Sequence, residues 1–266
     1  MGALFSELRD SILERRPVAL ATVVRGDAPG AKLLVSNDGV KGTLGNEGLD
    51  FAVKEDAFSM LQLGLTGIRT YGRTGRRRLD DVEVFIESFA PPPRMYVFGA
   101  IDFTGAVARL GKFLGYHVTV CDAREKFATA ARFPDADEVV VRWPDEFLAD
   151  AEVDRRTVIC ALTHDPKFDV PLLKAALKTD AGYIGAMGSR RTHTERCQQL
   201  RDEGVSDEEI ARISGPIGLD IGARTPEEVA VSIASEIIAL RTDASGRRLV
   251  DLGGPVHAPL ENPSSE

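Results

Sequence analysis

"RMYVFGAIDFTGAVARLGKFLGYHVTVCD", residues 94–122, decides how this chain folds. MYVFG at 95–99 and HVTVCD at 117–122 are apolar, β-branched and aromatic runs of strand length. Between them, 103–115 repeats its apolar residues at helical spacing. An apolar strand, a helix and a second apolar strand form the unit of a parallel sheet covered on both faces. The alternation continues, with strands expected at 138–142, 157–163 and 182–186 and helical segments at 124–132, 145–151 and 169–179. Two more helices carry start signals: SDEE at 206–209 and TPEE at 225–228 are capping boxes, the second with Pro226 at the first helical position. The expected fold is α/β, a Rossmann-like doubly wound parallel sheet.

The sequence before "APPPR" (90–94) reads differently, as a small α+β domain over 1–90. Leu4, Phe5, Leu8, Ile12 and Leu13 recur with helical period across 3–16. VALATVVR (18–25) and AKLLVSND (31–38) read as strands, with NDG at 37–39 turning into a third extended stretch. A helix follows across 49–63, and DVEVFIESF (81–89) alternates as a half-buried strand. RTGRRR (73–78) reads as a solvated basic loop. The Rossmann-like domain then spans 91–242, and 243–266, rich in Gly, Pro and Ser, reads as a flexible tail.

Charge and composition narrow the partners. Acids outnumber bases, 41 to 33, giving a net charge of -8, so the chain lacks the basic excess that non-specific nucleic-acid binding requires. No apolar run approaches the roughly 18 residues of a membrane span. Three cysteines, an odd number without metal-ligand spacing, suit a reducing compartment. A cytoplasmic soluble protein without a metal site is the expectation.

In a doubly wound sheet the ligand crevice lies beyond the carboxyl ends of the strands. The first strand runs into Gly99, but Ile101 and Thr104 stand where a dinucleotide fingerprint has its second and third small residues. Asp102 adds negative charge at the helix start, which suits the dipole and repels phosphate. Asp122 ends the second strand 23 residues beyond Gly99, either as a ribose-binding acid or as a local cap. Arg124 follows it. The fourth strand delivers His164 and Asp165, candidates for base, ligand or phosphate contact. The fifth runs into YIGAMGSRRT (183–192), where Gly185 and Gly188 permit close approach. There a helix start, capped by Ser189 or by a Thr192–Glu195 box, stands beside Arg190 and Arg191 as an anion site. The glycine-rich loop GPIGLDIGARTPEE (215–228) adds Gly218 and Asp220.

GYHVTVCDAREKFA, ALTHDPKFDVPLL, YIGAMGSRRT and RISGPIGLDIGARTPEEVAVSIASEIIA, in this order, resemble the XdhC/CoxI family of accessory proteins for molybdenum hydroxylases. The resemblance covers roughly 95–241, with a weaker match in 21–50. It implies a Rossmann-like domain, a homodimer, and binding of molybdenum cofactor (molybdopterin). It also implies work with a cysteine desulfurase and delivery to a xanthine- or carbon-monoxide-dehydrogenase-type client enzyme. Three elements depart from the family pattern: DAPG (27–30) lacks its arginine, GTLGNE (42–47) keeps only Gly45 of a triple glycine, and RRRLDD (76–81) has no cysteine. The first turn, Gly99-Ala100-Ile101-Asp102, departs from Gly-Ala-Gly-His.

The function expected is a molybdenum-cofactor accessory factor, more a chaperone than a catalyst. A non-catalytic dimeric scaffold is the second reading, and an NAD(P)-dependent oxidoreductase the third. The ligand set expected is Gly99, Asp102, Asp122, Arg124, His164, Asp165, Gly185, Gly188, Ser189, Arg190, Arg191, Gly218 and Asp220, with no catalytic residue assigned.

Overall fold

The computed structural model describes residues 2–76, 79, 81–163 and 165–253. The chain divides into two compact units, one through Pro91 and the other from Pro92.

The first unit runs α1 (Ala3–Leu13), β1 (Val18–Arg25), β2 (Lys32–Ser36), β3 (Gly39–Thr43), α2 (Glu47–Leu63), β4 (Gly67–Tyr71) and β5 (Val82–Phe89). Its strands form an antiparallel sheet in the order β3-β2-β1-β5-β4. Strand alternation sorts β1 between two layers: Ala19, Ala21 and Val23 pack with Leu49, Val53, Ala57 and Met60 of α2, while Val18 and Leu20 pack with Leu8 of α1. The Asn46 side chain caps α2 by accepting from the Gly48 and Leu49 amides, and Gly64, at φ 66°, ends it in a left-handed turn. The sequence reading omits β4: GIRTY is short, carries an arginine, and draws its apolar partners from β5 across the sheet. Of the expected basic loop, 73–76 form a turn, and Arg77 and Arg78 lie outside the described residues.

The second unit runs β6 (Arg94–Phe98), α3 (Asp102–Phe113), β7 (His117–Cys121), β8 (Glu138–Val140), α4 (Pro144–Asp150), β9 (Val158–Ala161), α5 (Pro166–Leu177), β10 (Tyr183–Ala186), α6 (Arg190–Asp202), α7 (Asp207–Ile210), β11 (Ile213–Ser214) and α8 (Pro226–Arg241). All six strands are parallel, in the order β11-β10-β9-β6-β7-β8. The chain starts in the middle, moves outward through β7 and β8, then returns to the other side for β9, β10 and β11. Strand order reverses between β6 and β9, where a doubly wound fold opens its crevice. Each face of the sheet has its own core. Tyr96, Phe98, Ile159 and Ile184 pack with Leu172, Leu173 and Leu200 of α5 and α6, while Met95, Val97, Val118 and Val120 pack with Val107 of α3 and Ile233 and Ile237 of α8.

Three local expectations are corrected. Residues 124–132 form turns and not a helix. Only isolated turns close there, such as Ala128 N–H to Arg124 O, and Pro134 follows closely. The Thr192–Glu195 box does not form: Ser189 is the cap, its hydroxyl accepting from the Thr192 amide, and Glu195 pairs with Arg191 at 2.8 Å. β11 was not anticipated, because two residues carry no periodic signal. In the expected tail, Leu249–Asp251 make a single 3-10 turn, and 254–266 lie outside the described residues.

Candidate functional site

At the carboxyl ends of the strands, local chemistry brings three turns into place. Gly99 follows β6 at φ 109°. Its amide donates to Cys121 O at 2.9 Å, and a Cβ there would stand 2.9 Å from Thr163 Cγ2 and 3.0 Å from its amide nitrogen. Only glycine permits both the backbone angle and this contact between the ends of β6 and β9. Thr104 holds the turn from within α3, its hydroxyl donating to Gly99 O. Ile101 precedes α3 and packs against the core with α3 and α8. Asp102 is the first residue of α3, almost fully exposed, with Arg132 Nη2 3.8 Å away.

Asp122 is buried at the end of β7 and uses both oxygens inside the protein. Oδ2 accepts the Ala100 amide and Arg124 Nη2, each at 2.7 Å; Oδ1 accepts the Arg124 amide at 2.8 Å and its Nε at 2.9 Å. Burial pushes its carboxyl up, but the hydrogen bonds from Arg124 and Ala100 outweigh that and hold it below the usual carboxylate range. Arg124 also lies over the Phe127 ring, 4.8 Å from its centroid. The sequence left Asp122 open between ribose acid and local cap; the geometry is that of a staple from β7 to the first turn.

Past β9, Asp165 caps α5 by accepting the Lys167 amide at 3.1 Å, and pairs with Lys167 Nζ. Lys167, with a contribution from Arg124, holds its carboxyl low. His164 lies outside the described residues. Past β10, Gly185 makes room for Ile217: a Cβ would come within 2.5 Å of Ile217 Cδ1. Gly188, at φ 148°, starts the turn into α6 against Thr192. Arg190 and Arg191 open the helix and are exposed. At this corner two arginines stand at the helix start, where amides lack an intrahelical partner and the helix dipole is positive. In the following loop, Gly218 donates its amide to Glu236 Oε2 at 2.9 Å, an oxygen that also accepts from Tyr183 Oη. Asp220 is exposed at the loop's tip.

Sequence reasoning missed a buried cluster beneath this corner. The Thr163 hydroxyl donates to Asp169 Oδ1, and Arg196 Nη2 donates to Asp169 Oδ2 at 2.6 Å and to Met187 O at 3.0 Å. The ends of β9 and β10 are thereby tied to α5 and α6. Arg196 carried a usable signal: it sits beside Cys197 and four residues before Leu200, at an apolar position of α6 where an unpaired charge would be costly.

Among the described residues, no cluster of three or more His, Cys, Asp or Glu could hold a metal ion, and no helix is long and apolar enough to cross a membrane.

Comparison with known proteins follows this geometry. The chain matches the XdhC Rossmann domain over residues 95–237 and the XdhC and CoxI family over 11–72. It is 30% identical over 257 residues to the uncharacterized protein YqeB of Escherichia coli, covering 91% of this chain and 47% of that protein. It is 32% identical over 177 residues to the molybdenum cofactor insertion chaperone PaoD of Escherichia coli, covering 66% of this chain and 48% of that protein. The chain thus spans about half the length of these curated relatives. A solved structure described as a xanthine dehydrogenase from Bacillus halodurans shares the fold, with TM-score 0.51 and 20% identity, covering 88% of this chain and 94% of that one. With its Rossmann domain matched across more than half its length and its first unit matched separately, this chain belongs to the XdhC and CoxI family.

Proposed function

We propose that the chain is an accessory protein that binds molybdenum cofactor, or a related phosphate-bearing ligand, during maturation of a xanthine- or carbon-monoxide-dehydrogenase-type molybdoenzyme. The observation that carries the reading is the corner at the start of α6. Helix N–H groups, Arg190 and Arg191 supply donors and positive charge suited to a phosphate oxyanion. The relative PaoD, a molybdenum cofactor insertion chaperone, supports the same role. When bound, the cofactor supplies the molybdenum that a client enzyme uses; this chain's residues would hold its phosphate end at Gly188–Arg191. Gly99 and Gly218 shape the crevice beside it, and Asp165 sets the charge of its far rim. A cysteine desulfurase and a second copy of the chain are proposed partners, and the cytoplasm the proposed location.

The test is titration of the purified chain with molybdopterin and with NAD(P)H. The reading expects molybdopterin to bind and the Arg190→Ala/Arg191→Ala double variant to weaken it severalfold. Absence of molybdopterin binding, with client binding retained, would establish the scaffold reading instead. One observation favours that alternative. Two of the departing elements, DAPG (27–30) and GTLGNE (42–47), border one cavity of about 180 Å³, lined by Asp27, Ala28, Gly45, Asn46, Arg73 and Thr74, with no cysteine among its lining residues. Micromolar NAD(P)H binding would support an oxidoreductase; the engagement of both Asp122 oxygens argues against a ribose contact there.

A further inference from the structure

The two exposed arginines of the corner are its visible charge, but they are not its best-placed donors. Arg191 is 86% exposed and already paired with Glu195, and an exposed guanidinium is screened by water and salt. The buried arginine beneath them is different. Helical side chains lean toward the helix N-terminus, so Arg196, six residues after Arg190, reaches back to the turn that precedes α6. Its Nη2 meets Met187 O at 3.0 Å and Asp169 Oδ2 at 2.6 Å. A Cβ at Gly188 would stand 3.8 Å from that same nitrogen, ordinary van der Waals contact, so the turn passes directly beside the guanidinium.

Arg196 is 3% exposed, and its other terminal nitrogen, Nη1, is buried without a hydrogen-bond partner among the described residues. A buried donor left unpaired costs free energy, and native proteins leave few. Here the orphan belongs to the residue that lies against the anion-attracting turn, and its neighbour nitrogen is anchored on both sides. The guanidinium cannot swing away to find water without breaking the Asp169 pair.

We infer that Arg196 Nη1 is the buried contact for an oxyanion of phosphate type seated on the Gly188–Arg191 turn, with Asp169 and Thr163 positioning it. The inference rests on the anion-site reading above and names the residue that confers its affinity. Asp169 holds the guanidinium in a fixed plane, and Thr163, which packs on Gly99, carries that constraint to the first turn of the crevice. Phosphate specificity then comes from a rigid, desolvated donor, and the exposed arginines add long-range attraction.

The test uses the whole chain and inorganic phosphate as the probe, followed by calorimetry and by 31P resonance. Arg196→Lys keeps a cation opposite Asp169 but removes the second terminal nitrogen. The expected result is a loss of phosphate affinity of about tenfold or more, largely insensitive to added salt, while Arg190→Ala/Arg191→Ala loses less and only at low salt. Phosphate binding by Arg196→Lys equal to that of the unaltered chain would overturn the inference, leaving Nη1 to a water. Should the variant not fold, the unaltered chain decides: the Arg196 guanidinium 15N–H resonances must shift and exchange more slowly on phosphate addition, and unchanged resonances overturn it. Phosphate binding through Arg196 without molybdopterin binding would sink the cofactor reading and leave this inference standing. Molybdopterin binding unaffected by Arg196→Lys would do the reverse.

Discussion

Asp122 Oδ2 accepts the Ala100 amide at 2.7 Å, so a buried carboxylate at the end of β7 stitches down the turn that follows β6. Asp122→Ala strips the Ala100 amide and the Arg124 guanidinium of their acceptor at once. The expected cost is roughly 2–3 kcal/mol of unfolding free energy, the range for buried groups losing a charged partner. Urea unfolding with an unchanged m-value reads it, and Asp122→Asn, which keeps one acceptor oxygen, should lose less.

The same stitch sets a pH dependence. Burial raises the carboxyls of Asp122, Asp137 and Asp154, but hydrogen bonds from Arg124, Lys112 and the Arg156 amide outweigh it and leave all three below their ordinary values. A depressed carboxyl contributes stability that is fully present above the unfolded pKa, about 4, and is lost as pH falls through the folded value. From these carboxylates the unfolding midpoint should hold from neutral pH down to about 5 and fall below it, while His193, depressed by burial, adds a loss that begins as pH falls through its unfolded value of about 6.5. In Asp122→Asn that acid limb should be shallower, and an identical slope would remove Asp122 from the account.

Gly99→Ala tests the first turn. Its φ of 109° is strained for any residue with a Cβ, and that Cβ would meet Thr163 at about van der Waals overlap. Strain of this kind costs on the order of 1–3 kcal/mol. Because the clash lies between the ends of β6 and β9, the variant should also lose affinity for any ligand in the crevice. Thermal melts and phosphate titration measure the two effects separately.

Where apolar runs recur with strand and helix periods, the sequence was legible. Met95–Phe98, Val118–Val120 and Val158–Ala161 gave up their places because a parallel strand buried on both faces leaves a continuous apolar signature. Ser189, Thr225 and Pro226 marked helix starts through their side-chain chemistry. What could not be read is what long-range pairing creates. β4 and β11 exist because β5 and β10 offer them an edge. Residues 124–132 carry an Asp122 contact of the kind that starts a helix at Asp165, yet they close only separate turns, with Arg132 Nη1 donating to Phe127 O and Ala100 O. The Asp169–Arg196 pair joins residues 27 apart on different helices, and no local pattern announces a partner at that distance.

The cysteines give the last prediction. Burial pushes the Cys121 and Cys160 thiols up to about 12, and Cys197 is also raised, chiefly by burial. His193 Nε2 lies 3.4 Å from Cys197 Sγ, yet burial, then the charge of Arg196, lowers the imidazole's pKa and makes it a poorer proton acceptor for the thiol. The thiolate, and not the thiol, is the nucleophile, so all three should resist iodoacetamide at pH 8 in the native chain. Cys197, on the outer turn of α6 and 7% exposed, should be alkylated first and slowly; Cys121 and Cys160 should be modified only once denaturant opens the sheet. Peptide mass mapping over time reads the order. Rapid native labelling of Cys121 or Cys160 would mean that the sheet opens far more readily than its packing implies. Rapid labelling of Cys197 alone would mean that His193 activates it, and α6 would then carry a nucleophile as well as an anion site.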